Sequence, residues 1–198
     1  MADDIFFSSL HCSSRGVDCW FILNDAGPVH VSFQLADHQQ ALLTLARQHG
    51  VAPADPGVSP PEGRGQSRRQ ATARNQLAAL VSRRFRAYLQ GEEREFFRPL
   101  TSSPFLAAGS PFQREVWREI ALIPYGQTRT YGEIAGRLGN RRQARAVGRA
   151  CGANPCPLVI PCHRVVGAGS WGGFTGGGIE LKKMLLALER ASLGEEKP

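Results

Sequence analysis

The sequence predicts an α+β protein, with a small N-terminal α/β unit built on an antiparallel hairpin and a mainly helical C-terminal unit containing a helix-turn-helix. Three observations carry this reading. Two strand-like runs flank a turn near the N-terminus, helix-capping patterns crowd the chain after residue 110, and Gly- and Pro-rich stretches separate the periodic segments. With 198 residues, 42% hydrophobic and 21% charged, the chain has the composition of a folded globular protein. No apolar run reaches the roughly 18 residues of a membrane-spanning helix. The first ten residues, MADDIFFSSL, place two Asp where a secretory signal carries positive charge. The expectation is an intracellular, cytoplasmic protein without membrane association.

Residues 19–23 (CWFIL) and 29–35 (VHVSFQL) read as strands joined through Asn24-Asp25-Ala26-Gly27. Asp37, with Gln40 three residues on, opens a helix that Gly50 closes. Residues 50–67 hold four Gly and four Pro and read as a long loop. A second helix is predicted from Ala73 to Gln90, with Leu77, Leu80, Val81, Phe85 and Tyr88 on one face and Gly91 as its stop. Residues 101–110 (TSSPFLAAGS) are rich in turn formers, which divides the chain into residues 1–100, a linker and residues 111–198.

Beyond the linker, Ser110-Pro111-Phe112-Gln113 combines an N-cap, a first-turn Pro and a capping-box Gln, predicting a helix over 111–122 with Phe112, Val116 and Ile120 buried. Thr130-Tyr131-Gly132-Glu133 is a second capping box, opening a short helix through Leu138. Asn140-Arg141-Arg142-Gln143 is a third, opening a helix to about Cys151. Two short helices around a Gly-containing turn make a helix-turn-helix. Ala144, Val147 and Cys151 lie at core-facing spacing on the second of them, while Arg141, Arg145 and Arg149 recur at i, i+4, i+8 as a basic stripe. A solvated helix usually intersperses Glu, and there is none here.

Charge sharpens this picture. The chain carries a net +7, and 21 of its 24 basic residues are Arg. Residues 112–190 hold 12 basic and 5 acidic groups, and no acid occurs from Ile134 to Ile179. Arginine suits bidentate contact with phosphate and guanine, so a polyanion partner, nucleic acid, is expected.

Five Cys, at 12, 19, 151, 156 and 162, show no disulfide-framework spacing. Cys162 lies in NPCPLVIPCHRVV, followed by His163 and Arg164. Three prolines stiffen the approach, and a neighbouring cation favours a thiolate. On these residues alone, a nucleophile and an inert core thiol both remain open.

The motif then becomes specific. Pro161-Cys162-His163-Arg164-Val165, preceded by Asn154-Pro155 and the helix-turn-helix, resembles the O6-alkylguanine-DNA alkyltransferases, also called methylated-DNA–protein-cysteine methyltransferases. Phe112-Gln113, Val116-Trp117, Ile123-Pro124-Tyr125-Gly126, Tyr131-Gly132, Ala144-Arg145-Ala146-Val147-Gly148 and Leu185-Leu186-Ala187 extend the likeness over about residues 111–190. The N-terminal half matches only loosely, in the hairpin and Leu89-Gln90-Gly91…Phe96.

The resemblance implies a ribonuclease H-like N-terminal roll and a monomer acting on double-stranded DNA that contains O6-alkylguanine. It implies single-use transfer of the alkyl group to Cys162, with no organic cofactor. His163 would accept the thiol proton through a water, oriented by Glu189 on the last helix. Tyr131 would donate to guanine N3 and meet a phosphate, and Arg145 would fill the gap left by the flipped nucleotide. Asn154 would link the recognition helix to the cysteine segment, and Lys182 would lie near the reaction centre. Thr130, Ala144, Arg141 and Arg149 join the implied DNA surface.

The loop 167–178 (GAGSWGGFTGGG) has seven Gly in twelve residues but lacks the Lys-Ser/Thr ending of a nucleotide loop. The resemblance makes it a substrate loop, with Thr175 near the O6 position, Val165 and Cys162 backbone groups at the base's amino edge, and Pro157 alongside. Phe174 stands where the family usually has Tyr. His11, Cys12, Cys19 and His30 do not make a zinc spacing, and no metal is expected. A noncatalytic sensor of alkylated DNA would lack the acceptor Cys. A Cys-His hydrolase would need an oxyanion site that nothing here marks, and a helix-turn-helix regulator would not need Cys162 at all.

Overall fold

The structure, a computed structural model, describes residues 6–12, 17–24, 27–35, 68–94 and 109–194. The helix expected at 37–50, the 50–67 loop and linker residues 101–108 lie outside them. Two compact units divide the chain, Met1–Arg86 and Ala87–Pro198.

In the first unit, strands β1 (Phe6–Cys12), β2 (Val17–Asn24) and β3 (Gly27–Leu35) form an antiparallel sheet in that order. The predicted hairpin is present, closed by the pair Asn24 and Gly27. Its register slips between Ile22 and Leu23, so that Leu23 faces Pro28. Proline has no N–H to give a ladder and is tolerated at such irregularities. Strand β1 is absent from the sequence reading because FFSSLHC has no strict apolar alternation. Helix α1 (Arg68–Gln90), whose residues from Ala87 on belong to the second unit, starts five residues earlier than expected. Its first turns are polar, so the apolar periodicity that marks a helix begins only at Leu77. Val81, Phe85 and Tyr88 are buried as predicted for an apolar face, Leu80 is half-buried, and Leu89 is buried although it was not expected on that face.

The second unit is mainly helical. Helix α2 (Pro111–Ala121) carries the full capping box: Gln113 N–H donates to Ser110 Oγ at 3.3 Å, and Ser110 N–H donates to Gln113 Oε1 at 2.8 Å. Val116, Trp117 and Ile120 are buried, while Phe112 is only half-buried. A two-residue strand β4 (Arg129–Thr130) leads into helix α3 (Tyr131–Arg137), capped reciprocally by Thr130 and Glu133.

The third expected capping box does not form. Asn140 Oδ1 instead accepts from Arg142 N–H at 3.0 Å, and residues Arg141–Gln143 make a 3₁₀ turn before helix α4 (Ala144–Gly152). The tighter turn brings the second amide, not the third, under the cap. Val147, Ala150 and Cys151 are the buried residues of α4, and Ala144 is half-buried rather than core. Trp117 Nε1–H donates to Ala150 O at 2.8 Å, anchoring α4 to α2.

After α4 the chain passes through a 3₁₀ turn at Cys162–Arg164, strand β5 (Val165–Val166) and helix α5 (Gly178–Ala191). Strands β4 and β5 pair in parallel, Arg129 with Val165 and Thr130 with Val166. This pairing sets the start of α3 beside the cysteine turn. No helix among the described residues is long and apolar enough to cross a membrane.

The α2 cap is exposed and closes a buried-faced helix. Replacing Ser110 with Ala is expected to cost about 1 kcal/mol of stability in urea denaturation, and replacing it with Gly only a few tenths. Equal stability of Ser110→Ala and wild type would show that the box is ornamental.

Candidate active site

Asn154 organises the segment that delivers Cys162. Its side-chain carbonyl accepts from Cys156 N–H at 3.0 Å, a local turn that sends the chain away from α4. Its amide Nδ2 donates to Ile160 O at 2.8 Å and to Cys162 Sγ at 3.0 Å. Between these ties Leu158 adopts φ 71°, a left-handed conformation unusual for a branched side chain. Backbone bonds from Ile160 N to Cys156 O and from Cys162 N to Ile160 O hold the strained loop closed.

Cys162 is 4% exposed and borders a cavity of about 420 Å³. Burial pushes its thiol up to about 11, despite the Asn154 donor and the Lys182 ammonium, which act the other way. This corrects the expectation that flanking cations would favour a thiolate. Arg164 points its guanidinium at Glu189 and the Ile123 carbonyl, not at the sulfur. His163 is held below its ordinary range by burial and is neutral, so it is no cation either. At rest Cys162 is therefore a protonated thiol, which would need a base to act as a nucleophile.

The adjacent imidazole is a candidate for that base. His163 is fully buried, and its Nε2 lies 2.9 Å from Glu189 Oε1. An ionised carboxylate only accepts, so Nε2 carries the proton and Nδ1 keeps a lone pair, without a protein partner. Glu189 is a hub. Its oxygens accept from Tyr88 Oη at 2.6 Å, Gly126 N at 2.9 Å, Arg164 Nη2 at 2.8 Å and Arg164 Nε at 3.0 Å. Burial alone would raise the Glu189 carboxyl, but the His163 and Arg164 donors outweigh it and bring it to about 2. Gly126 reaches it with φ 75°, where a side chain would collide with Leu193.

Lys182 is buried, not solvated. Its ammonium donates to Val165 O at 2.6 Å and Gly173 O at 3.2 Å, tying α5 to β5 and the glycine-rich loop. Desolvation lowers its pKa. Phe174 is 8% exposed and meets the His163 ring edge-on at 6.4 Å. Thr175 Oγ1 donates to Gly152 O at 3.1 Å, closing the loop onto the end of α4. Gly172 packs so tightly on Tyr131 that a Cβ there would lie 2.5 Å from the phenol oxygen.

The structure therefore sorts the expected residues into three sets. Tyr131, Ala144, Arg145, Cys162, Phe174 and Thr175 line the cavity together. Asn154, His163, Lys182 and Glu189 are buried residues outside that lining. Arg141 and Arg149 are exposed beyond it, and Thr130 serves as the α3 cap. Val165 and Pro157 were expected at the substrate, yet neither is among the lining residues. Val165 is fully buried in β5 with its carbonyl taken by Lys182, and Pro157 packs near Gly176. Sequence reasoning missed Cys151, Gly148 and Gly152 in the cavity wall, and Tyr88 and Arg164 as partners of Glu189. Their contacts join distant stretches of chain, so no local pattern marks them.

A family model described as "6-O-methylguanine DNA methyltransferase, DNA binding domain" matches residues 111–191. A methylated-DNA–protein-cysteine methyltransferase of Mycolicibacterium paratuberculosis is 53% identical over 105 residues, which are 52% of this chain and 60% of that protein. The match thus spans about three fifths of that curated relative. The crystal structure of Mycobacterium tuberculosis O6-methylguanine methyltransferase superposes with a TM-score of 0.64 at 30% identity, covering 96% of this chain and 94% of that one. A structure of Mycobacterium tuberculosis OGT in complex with DNA matches at 41% identity and a TM-score of 0.50, over 58% and 68% of the two chains. The 30% identity over nearly the whole of a solved O6-methylguanine methyltransferase, together with the family model over residues 111–191, places the chain in the methylated-DNA–protein-cysteine methyltransferase family.

Proposed function

We propose that this chain repairs O6-alkylguanine in double-stranded DNA by moving the alkyl group onto its own Cys162, once per molecule. The carrying observation is a buried thiol at the wall of a 420 Å³ cavity, beside an Arg-rich helix and backed by a neutral imidazole with a free lone pair. The fold assignment that accompanies this is a ribonuclease H-like roll for the N-terminal sheet, and a DNA-binding alkyltransferase domain over 111–198 after a 101–110 linker. The protein acts as a monomer in the cytoplasm, without cofactor or metal.

The chemistry follows from the site. The helix-turn-helix lays α4 against the duplex, with Arg141 and Arg149 on phosphates and Thr130 and Ala144 alongside. The alkylated guanine swings into the cavity and Arg145 takes its place in the stack. Phe174 walls the base, Thr175 lies near O6, and Val165 contributes backbone through the segment that Lys182 holds. Pro157 supports the loop from behind.

In the transfer step the sulfur forms a bond to the alkyl carbon while the bond from that carbon to O6 breaks, its electron pair remaining on the purine. The thiol proton passes to His163 Nδ1 through a water, and an equivalent proton from solvent is taken up at N1 of the purine, which is left as neutral guanine. Tyr131 donates to guanine N3, which steadies the charge arriving on the leaving purine. Asn154 keeps the sulfur aimed at the cavity. The resulting thioether is a poor leaving group, so the protein is spent.

Incubation with a duplex containing one O6-methylguanine is expected to add one methylene equivalent to the intact mass, mapped to Cys162 and capped at one per protein. Tight binding to the lesion without a mass gain would mean a sensor. No gain and no lesion preference would mean a helix-turn-helix regulator. Replacing Arg145 with Ala is expected to slow reaction with the duplex at least tenfold, while free O6-benzylguanine reacts as before, because only the duplex has a stack to refill. Equal losses on both substrates would remove Arg145 from that role.

A further inference from the structure

We propose that Tyr88 is a positioning residue for this reaction, its hydroxyl competing with His163 for Glu189 Oε1 and so keeping the imidazole neutral and ready to accept the thiol proton. The inference rests on the reading of Cys162 as the alkyl acceptor. Tyr88 lies in the last turn of α1 and is 1% exposed. Its oxygen stands 2.6 Å from Glu189 Oε1 and 3.3 Å from His163 Nε2.

The distances decide the roles. An O–H to carboxylate separation of 2.6 Å belongs to the short, charge-assisted class. A phenol has one proton, so it is spent on Glu189. The imidazole N–H donates to the same oxygen at 2.9 Å, and Arg164 Nη2 donates there at 2.8 Å. Arg164 Nε reaches it as well at 3.1 Å, so donors from three residues share Oε1. Each one draws on the carboxylate charge and weakens the hold of Glu189 on a protonated His163.

The remaining groups around the imidazole act in known directions. Glu189 favours its protonated form, while Arg164 and Lys182 oppose it. Cys162 adjoins it in the chain and is a neutral thiol at rest. Tyr125 stands edge-on to Tyr88 at 6.0 Å, a step further out. Removing the Tyr88 hydroxyl therefore returns carboxylate charge to His163 and makes it more basic. The phenol oxygen also offers a weak acceptor to Nε2–H at 3.3 Å, whose loss acts oppositely. The contact at 2.6 Å is much the stronger and sets the sign.

The test is single-turnover alkyl transfer from an O6-methylguanine duplex across acid to mildly basic pH, with His163 titrated in parallel by NMR. In Tyr88→Phe the acid limb should move to higher pH, slowing transfer on that limb about fivefold, the factor of one ordinary hydrogen bond, with little change on the plateau. Site-specific 3-fluorotyrosine at position 88 keeps the ring and makes the hydroxyl a stronger donor, so its limb should move to lower pH. The fluorinated protein decides the matter alone if Tyr88→Phe does not fold. A purely structural role would slow transfer equally at every pH. Unmoved limbs, or limbs that move the same way in both variants, overturn the proposal. A wild-type protein that takes up no alkyl group overturns the underlying reading as well.

Discussion

A carboxylate cut off from water is the constraint around which the C-terminal unit is built. Glu189 has no exposed surface, and an ion so placed is tolerated only when donors replace its hydration. Those donors come from the end of α1 through Tyr88, from the loop after α2 through Gly126, and from the cysteine turn through His163 and Arg164. Arg164 also donates to Ile123 O and lies over the Tyr125 ring, extending the cluster to the loop that carries Gly126. Breaking such a pair on one side leaves a buried charge and costs on the order of 3–5 kcal/mol. Satisfying one carboxylate therefore fixes the place of the reactive turn, and with it the tautomer of His163.

The thiol is governed by the opposite demand. In the proposed reaction, a site that excludes water to hold a flat, uncharged base must also desolvate its nucleophile, and burial keeps Cys162 in the protonated form. Cys151 and Cys156, buried nearby, are pushed up as well, to about 12 and to still higher values, so the surroundings disfavour thiolates generally. What distinguishes Cys162 is its company: a donor from Asn154 and an adjacent imidazole with a spare lone pair. In the proposed reaction this arrangement keeps the protein inert until an alkylated base occupies the cavity, a useful property in an acceptor used once.

Helix α4 serves the cavity and the outer surface together. Val147 and Ala150 seat it on the core, where Trp117 bonds the Ala150 carbonyl, and Cys151 and Gly148 form part of the cavity wall. Arg145 stands at that wall and on the exposed side at once. Thr175 then joins the glycine-rich loop to the end of the same helix. A shift of α4 against a bound polyanion would reach the cavity through these contacts.

The helical half was legible in the sequence because its signals are local. Ser110 with Gln113, and Thr130 with Glu133, name helix starts three residues ahead, and the structure forms both boxes. Arg145 and Arg149 are exposed on α4 as period and charge indicate, while Arg141 of the expected stripe falls in the 3₁₀ turn before it, and the Pro-Cys-His-Arg run identifies the family from a few adjacent residues. Elements whose stability comes from partners were not legible. Strand β1 lacks alternation, β4 and β5 are two residues each, and α1 extends into a polar stretch without periodicity. Only the tertiary structure decided that Lys182 is buried on two carbonyls, that Arg164 serves Glu189 rather than the thiol, and that Tyr88 reaches across 101 residues to the same oxygen. Burial and the pairing it forces depend on which distant segments meet, and spacing along the chain does not encode that.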